Sequence, residues 1–102
     1  MFKLLLTIAL IFTFKLSAAT NYENQDCGQV ANAAKATMMS RQFGNNKERL
    51  YSIAYRMTYE KKIIAIKLID NAFDVDQVLA YHERIEIAAA YYEQILTECN
   101  TQ

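Results

Sequence analysis

The 102-residue sequence contains no proline, no tryptophan, only two glycines and one histidine. Folds made of β-strands need many tight turns, which are rich in glycine and proline, so this composition argues against an all-β fold. With 53% hydrophobic and 22% charged residues, the chain has the composition of one globular domain. We therefore predict an all-α fold, a small four-helix bundle with short connections.

The first residues have the features of a secretory signal peptide. Lys3 precedes an uncharged segment at 4–14, and small residues occupy 17–19. The alternative is a membrane anchor, but eleven uncharged residues span only about 17 Å as a helix, against about 30 Å of hydrocarbon. We predict a signal peptide over 1–19, export to the periplasm or beyond, and one helical domain over 20–102. No membrane span is expected after signal cleavage.

Charge is distributed unevenly along the chain. Residues 20–102 hold nine bases and eleven acids, a net charge of about −2, which gives no support to nucleic-acid binding. Residues 27–69 hold eight bases and two acids, whereas 70–102 hold seven acids and one base. An acidic helix packed beside basic helices is one interpretation, and its surface ion pairs would contribute little. The other is a polarised surface that steers a charged partner.

The two cysteines stand near the two ends of the predicted domain. An even number of cysteines in an exported chain is typical of disulfides, and Cys27 and Cys99 allow one pairing. The closed loop of about 73 residues corresponds to a stabilisation of roughly 4 kcal/mol by the chain-entropy estimate. A redox-active site is disfavoured because there is no Cys-x-x-Cys motif. We predict one structural disulfide that ties the ends together.

Hydrophobic spacing and helix-capping residues predict where the helices begin and end. Polar residues 20–25 are expected to form a loose leader, and Asp26 and Gly44 bound the first helix at about 27–43. The next segment is interpreted as two helices with a bend near 58–60, although one long helix is an alternative. These two helices are placed at about 47–57 and 61–72.

The last third of the chain predicts a long C-terminal helix over 74–99. Asp74 and Gln77 have the spacing of a capping box at its start. Mostly apolar residues at alternating steps of four and three predict its core stripe, namely Val78, His82, Ile85, Ala89, Tyr92, Leu96 and Cys99. Ile87, Ala88, Tyr91 and Ile95 widen that stripe, so we expect more than one neighbouring helix.

Several short motifs carry a resemblance to known proteins. They are Cys27, Arg41-Gln42-Phe43-Gly44 at the end of the first helix, Ala72-Phe73 before the last helix, and Cys99. The chain resembles an uncharacterised family of small exported bacterial helical proteins with a Cys…Arg-Gln-x-Gly…Cys layout. This resemblance spans nearly all of 20–102 and implies an exported helical domain with one disulfide. In size, compartment and cysteine number the chain is also similar to acid-stress periplasmic chaperones of the HdeA kind.

No catalytic set is evident in the sequence. His82 lies on the predicted core stripe, where a lone histidine is expected to be packed and hydrogen-bonded. Glu83 and Glu86 are close in sequence, but Glu83 points about 100° away around the helix, and no second histidine completes a metal site. We expect no enzymatic activity, no metal and no cofactor.

A second group of residues is the best candidate for binding. Tyrosines recur at four-residue intervals beside basic residues, a combination enriched at protein interfaces. We name this group the basic tyrosine face, and it consists of Tyr51, Tyr55, Arg56, Tyr59 and Lys62. The alternative is that these tyrosines edge the core with their hydroxyls in water.

These observations favour two functions. The first is a non-enzymatic exported protein that binds another protein in the periplasm, such as an immunity or inhibitor protein. The second is an acid- or stress-responsive periplasmic chaperone of the HdeA kind. The partner is expected to be a protein and not a nucleic acid, and homo-oligomerisation is compatible with the sequence.

Overall fold

The computed structural model describes residues 21–102, which form four helices and no strand. The predicted signal peptide at 1–19 lies outside these residues. The helices are α1 (Cys27–Gln42), α2 (Lys47–Ala54), α3 (Tyr59–Phe73) and α4 (Tyr81–Asn100). The predicted all-α, four-helix fold with a long C-terminal helix is confirmed, and 47–72 forms two helices. Within 21–102, no helix is both long enough and apolar enough to cross a membrane.

Helix α1 is the centre of the bundle. It packs against α4 along most of its length and against α3, while α2 packs mainly on α3. Ala31 and Ala34 on α1 and Ala88 on α4 are completely buried. Because these side chains are single methyl groups, the backbones of neighbouring helices can approach closely. The alanine face of α1 therefore lets α4 approach closely, and the core lies between α1, α3 and α4.

The helix boundaries of α1 and α2 follow their capping residues. The Asp26 side chain accepts a hydrogen bond from the Gln29 N–H at 3.2 Å, and Asn46 accepts one from the Arg49 N–H at 2.8 Å. Gly44 has φ of 90°, a left-handed conformation that glycine adopts without a side-chain penalty. The predicted caps at both ends of α1 are confirmed.

The two ends of the domain are joined in two ways. Cys27 and Cys99 form a disulfide with a Cα–Cα distance of 5.6 Å, as predicted. The Tyr22 N–H also donates to Gln102 Oε1 at 2.9 Å, and the Tyr22 side chain is only 4% exposed. The expectation of a loose leader is therefore wrong for residues 21–25. A buried tyrosine ring removes a large apolar area from water, which holds this segment against the bundle.

The start of the C-terminal helix differs from the prediction. Asp74 is the C-cap of α3, and α4 begins only at Tyr81, so residues 75–80 form a loop. Gln77 does not act in a capping box, because its Nε2 donates to the Gln42 carbonyl at 3.2 Å. The predicted start at Asp74 is wrong because hydrogen bonds from α1 hold this segment outside the helix.

Loop 75–80 is fixed by two consecutive side chains of α1. Arg41 Nε donates to the Val75 carbonyl at 3.0 Å. Gln42 Nε2 donates to the Asp76 carbonyl at 2.9 Å, while Gln42 Oε1 accepts from the Val78 N–H at 2.9 Å. The Gln42 side chain is completely buried, so its amide satisfies backbone groups that would otherwise lack partners.

The buried face of α4 is also rotated relative to the predicted stripe. The residues that were expected only to widen the stripe are fully buried, and the predicted stripe itself is exposed at His82 and Ala89. Both arcs of the helix are apolar, so hydrophobic spacing alone does not choose between them. Tyr91 decides the orientation, because its buried hydroxyl donates to the Leu68 carbonyl at 2.9 Å. Burial raises the pKa of the Tyr91 phenol, which keeps this donor protonated.

Candidate functional site

The turn between α2 and α3 carries most of the exposed apolar side chains. Three successive backbone N–H groups after Ala54 donate to carbonyls of the last turn of α2. Four residues, 55–58, separate α2 from α3, and Thr58 is the N-cap of α3. Five of the eight exposed large hydrophobic side chains of residues 21–102 lie between positions 53 and 63. They are Ile53, Tyr55, Met57, Tyr59 and Ile63. Exposed apolar side chains grouped along the chain in this way make the turn a candidate interaction surface.

Three residues of the basic tyrosine face meet at this turn. Lys62 Nζ lies 6.0 Å from the ring centroid of Tyr55 and 5.6 Å from that of Tyr59. The side chains of Tyr55 and Tyr59 are 62% and 71% exposed. These two tyrosines therefore do not edge the core, which was the alternative interpretation. The lysine between them forms cation–π contacts that orient both rings.

Tyr51 has a different environment from the other two tyrosines. Its hydroxyl donates a hydrogen bond to the Asp70 carboxylate on α3, and this bond raises the pKa of the Tyr51 phenol. Lys47 Nζ lies 3.3 Å from Asp70 Oδ1 and 5.4 Å from the Tyr51 ring centroid. The rings of Tyr51 and Tyr55 are 6.2 Å apart. Tyr51 thus links α2 to α3 and positions Tyr55.

The contacts of Tyr51 and Lys47 with Asp70 matter because few other contacts hold α2 against the rest of the protein. Ala54 is its only buried residue, and the helix is eight residues long. A short helix with few buried apolar contacts has low local stability. The Tyr51 and Lys47 contacts to Asp70 therefore help to define where α2, and with it Tyr55, lies on the surface.

Arg56 occupies the turn itself and completes the face. Its side chain is exposed and makes no hydrogen bond or ion pair with another residue of 21–102. Residues 47–73 together carry six bases and three acids, so the surface around Arg56 is basic. A free guanidinium offers planar paired donors to a carboxylate. The face can accordingly receive a protein segment that combines apolar side chains with carboxylates.

A second group of exposed apolar side chains lies near the start of α4. The sequence analysis did not predict it. The Phe43 and Tyr81 rings are in edge contact at 5.6 Å, and the Arg84 guanidinium carbon lies 5.1 Å from the Phe43 ring centroid. Leu79 on loop 75–80 is 95% exposed. Phe43 in the Arg-Gln-Phe-Gly motif was the available signal, whereas Leu79 was hidden by the prediction that this loop is helical.

The residues around His82 form no buried site. His82, Glu83 and Glu86 are all exposed, so the predicted packing of His82 in the core is wrong, a consequence of the rotated helix face. In the part of the chain that the structure describes, no three histidine, cysteine, aspartate or glutamate side chains are close enough to hold a metal ion.

Comparisons of the chain with protein-family models, with curated proteins and with solved structures found no match. The resemblance to small exported proteins and the similarity to HdeA-type chaperones therefore stay predictions. The fold and the geometry of the basic tyrosine face are what support a function.

Proposed function

We propose that the protein is exported and acts without catalysis, by binding another protein through the basic tyrosine face. The observation that supports this is the pair of exposed tyrosine rings, Tyr55 and Tyr59, held around Lys62 beside the unpaired Arg56. Tyrosine gives large contact area for a small loss of side-chain entropy, and tyrosine and arginine are enriched among the residues that dominate binding energy.

Export is supported by the disulfide and by the sequence of the first residues. The Cys27–Cys99 bond closes nearly the whole domain, and such bonds persist in oxidising compartments such as the periplasm. The signal peptide predicted at 1–19 would deliver the chain there. A small domain closed by a disulfide, with one ordered contact surface, suits an immunity or inhibitor protein. Such a protein acts by binding over the functional surface of its target.

Site-specific photo-crosslinking in the native host tests this function. A photoreactive phenylalanine analogue is placed at Tyr59 on the face, and at Ala36, an exposed position on α1, as a matched control. We expect a specific covalent adduct with another exported protein from position 59 and none from position 36. Equal adducts from both positions, or none from either, would contradict the proposal.

A vesicle-binding measurement distinguishes a membrane surface from a protein partner. Exposed tyrosines with basic residues can also lie against anionic lipid headgroups. Flotation with vesicles of phosphatidylglycerol and phosphatidylcholine should leave the protein unbound. Vesicle binding without any protein adduct would assign the face to a lipid surface and overturn the proposal.

A further inference from the structure

The acidic residues on the exposed side of α4 form no ion pairs within the described part of the chain. The acids Glu83, Glu86 and Glu93 lie along one exposed side of α4, and none of them forms an ion pair within 21–102. The ion pair between Lys47 and Asp70 joins α2 to α3 and does not involve α4. None of these three acids therefore pairs with α2 or α3, although α4 packs beside α1, whose Lys35 lines the same surface pocket as Glu93.

An apolar seam runs beside these acids. Ile85, Tyr92 and Leu96 are partly exposed and Ala89 is exposed, although their spacing of four, three and four residues is that of a helix-packing stripe. The core uses the other apolar arc of α4, around Tyr91. Helix α4 thus presents a half-covered apolar seam flanked by carboxylates, a surface suited to packing against a basic and apolar partner.

The basic tyrosine face carries groups that are complementary to this surface of α4. It offers the rings of Tyr55 and Tyr59 for the apolar seam, and Arg56 and Lys62 for the carboxylates. Opposite charges arranged in this way favour association and fix its orientation. We infer that a second copy of this chain is a partner of the basic tyrosine face, through the apolar seam and acidic row of its α4. This inference rests on the proposed function of the face as a protein-binding surface.

The two surfaces cannot meet within one molecule. Helix α2 packs mainly on α3 and α4 packs mainly on α1, while α4 meets α3 through its buried arc at Tyr91 and not through the seam. The face and the α4 seam therefore belong to different parts of the bundle. Arg84, the only base on α4, is already used, because its Nε donates to the Val78 carbonyl at 2.7 Å. Each molecule therefore carries two different, complementary surfaces, and the contact is head-to-tail.

Sedimentation velocity of the purified, oxidised protein tests this contact. From about 10 μM to about 1 mM, the range in which weak contacts populate, the average mass should rise with concentration at low salt. It should fall when salt is raised, because exposed charges are screened over about 8–10 Å. Arg56→Glu and Glu86→Lys should each weaken association by about tenfold. Gln29→Glu combined with Ala36→Glu changes the net charge by the same two units as Arg56→Glu, at exposed positions of α1 outside both surfaces, and it should retain association.

A mixing experiment gives the decisive result. The Arg56→Glu protein keeps an intact α4, and the Glu86→Lys protein keeps an intact face, so an equimolar mixture should regain the mass that neither variant reaches alone. A protein that stays monomeric at every concentration, or a mixture that does not recover, would overturn the inference. An adduct at position 59 with another protein would then still support the proposed function, so the two failures are distinguishable.

Discussion

Gln42 Oε1 accepts a hydrogen bond of 2.9 Å from the backbone N–H of Val78, 36 residues further along the chain. The Nε2 of the same amide donates to the Asp76 carbonyl at 2.9 Å. One buried side chain therefore satisfies both a donor and an acceptor of loop 75–80. This explains the Arg-Gln-Phe-Gly motif at the end of α1 in structural terms, as the anchor of the connection between α3 and α4.

Replacing Gln42 by methionine keeps the volume but removes both hydrogen bonds. Each hydrogen bond contributes about 0.5–1.5 kcal/mol, and its backbone partner is only partly buried, so Gln42→Met should lower the free energy of unfolding by about 1–3 kcal/mol. Urea denaturation measures this loss, and hydrogen exchange at the Val78 amide should accelerate. Gln29→Met, at an exposed position of α1, serves as control and should change stability by less than about 0.5 kcal/mol. Equal effects would contradict the assigned role of Gln42.

The loop also shows what the sequence cannot predict. The capping box of Asp74 and Gln77 is a local signal, and local signals suggested that the last helix begins there. The competing hydrogen bonds come from Gln42, at least 34 residues away in sequence. Only the packing of α1 beside this loop brings them into range, so long-range contacts overrode a sound local pattern. By contrast, the caps at Asp26 and Gly44 have no such competitor and were predictable.

The orientation of α4 gives a prediction on core packing. Ile95 is completely buried, whereas Ile85 is partly exposed. Ile95→Ala should therefore cost about 2–5 kcal/mol of unfolding free energy, and Ile85→Ala should cost clearly less. Thermal and urea denaturation of both variants compare the two sites under identical conditions. An Ile85 variant as damaged as the Ile95 variant would mean that α4 buries the other apolar arc.

The disulfide should account for a large part of the stability. Cys27→Ser combined with Cys99→Ser removes a bond that closes a separation of 72 residues, and the expected loss is about 2–5 kcal/mol. Non-reducing mass spectrometry of the exported protein should first show one internal bond and no thiol that reacts with an alkylating reagent. Two reactive thiols in freshly isolated protein would contradict the bridge.

The partly buried carboxyl of Glu98 should lower the stability of the protein at neutral pH relative to acidic pH. Burial raises the pKa of this carboxyl above its ordinary value of 4.5. A raised carboxyl pKa means that the folded state binds the proton more tightly than the unfolded state, so the ionised group costs stability at neutral pH. That cost disappears as the pH falls below the unfolded pKa. Glu98→Gln should therefore be more stable than the native protein at pH 7, and the difference should vanish below about pH 4.

The same acid titration addresses the chaperone alternative. Circular dichroism and dye binding from pH 7 to about pH 2 should show a retained tertiary structure, since the disulfide and the loop anchor do not depend on ionised carboxylates. Loss of tertiary structure together with newly acquired anti-aggregation activity would favour an acid-activated chaperone instead.

The basic tyrosine face was partly predictable from the sequence. The four-residue spacing and the bend near 58–60 were sufficient to place Tyr55, Tyr59 and Lys62 together, because all three lie within one turn and its flanking helix ends. The role of Tyr51 was not predictable, since its partner Asp70 lies 19 residues away on another helix. The exposure of Leu79 depends on the unforeseen loop and could not be predicted either.

The most direct measurement is the affinity of the cross-linked partner for two face variants and two matched controls. Tyr55→Ala and Arg56→Glu alter the face, while Tyr81→Ala and Lys35→Glu make the same changes at exposed positions elsewhere. We predict that each face variant weakens binding at least about tenfold with an unchanged melting temperature, and that the Arg56→Glu effect shrinks as salt rises. The controls should bind normally. Face variants that fold and bind like the native protein would contradict the account.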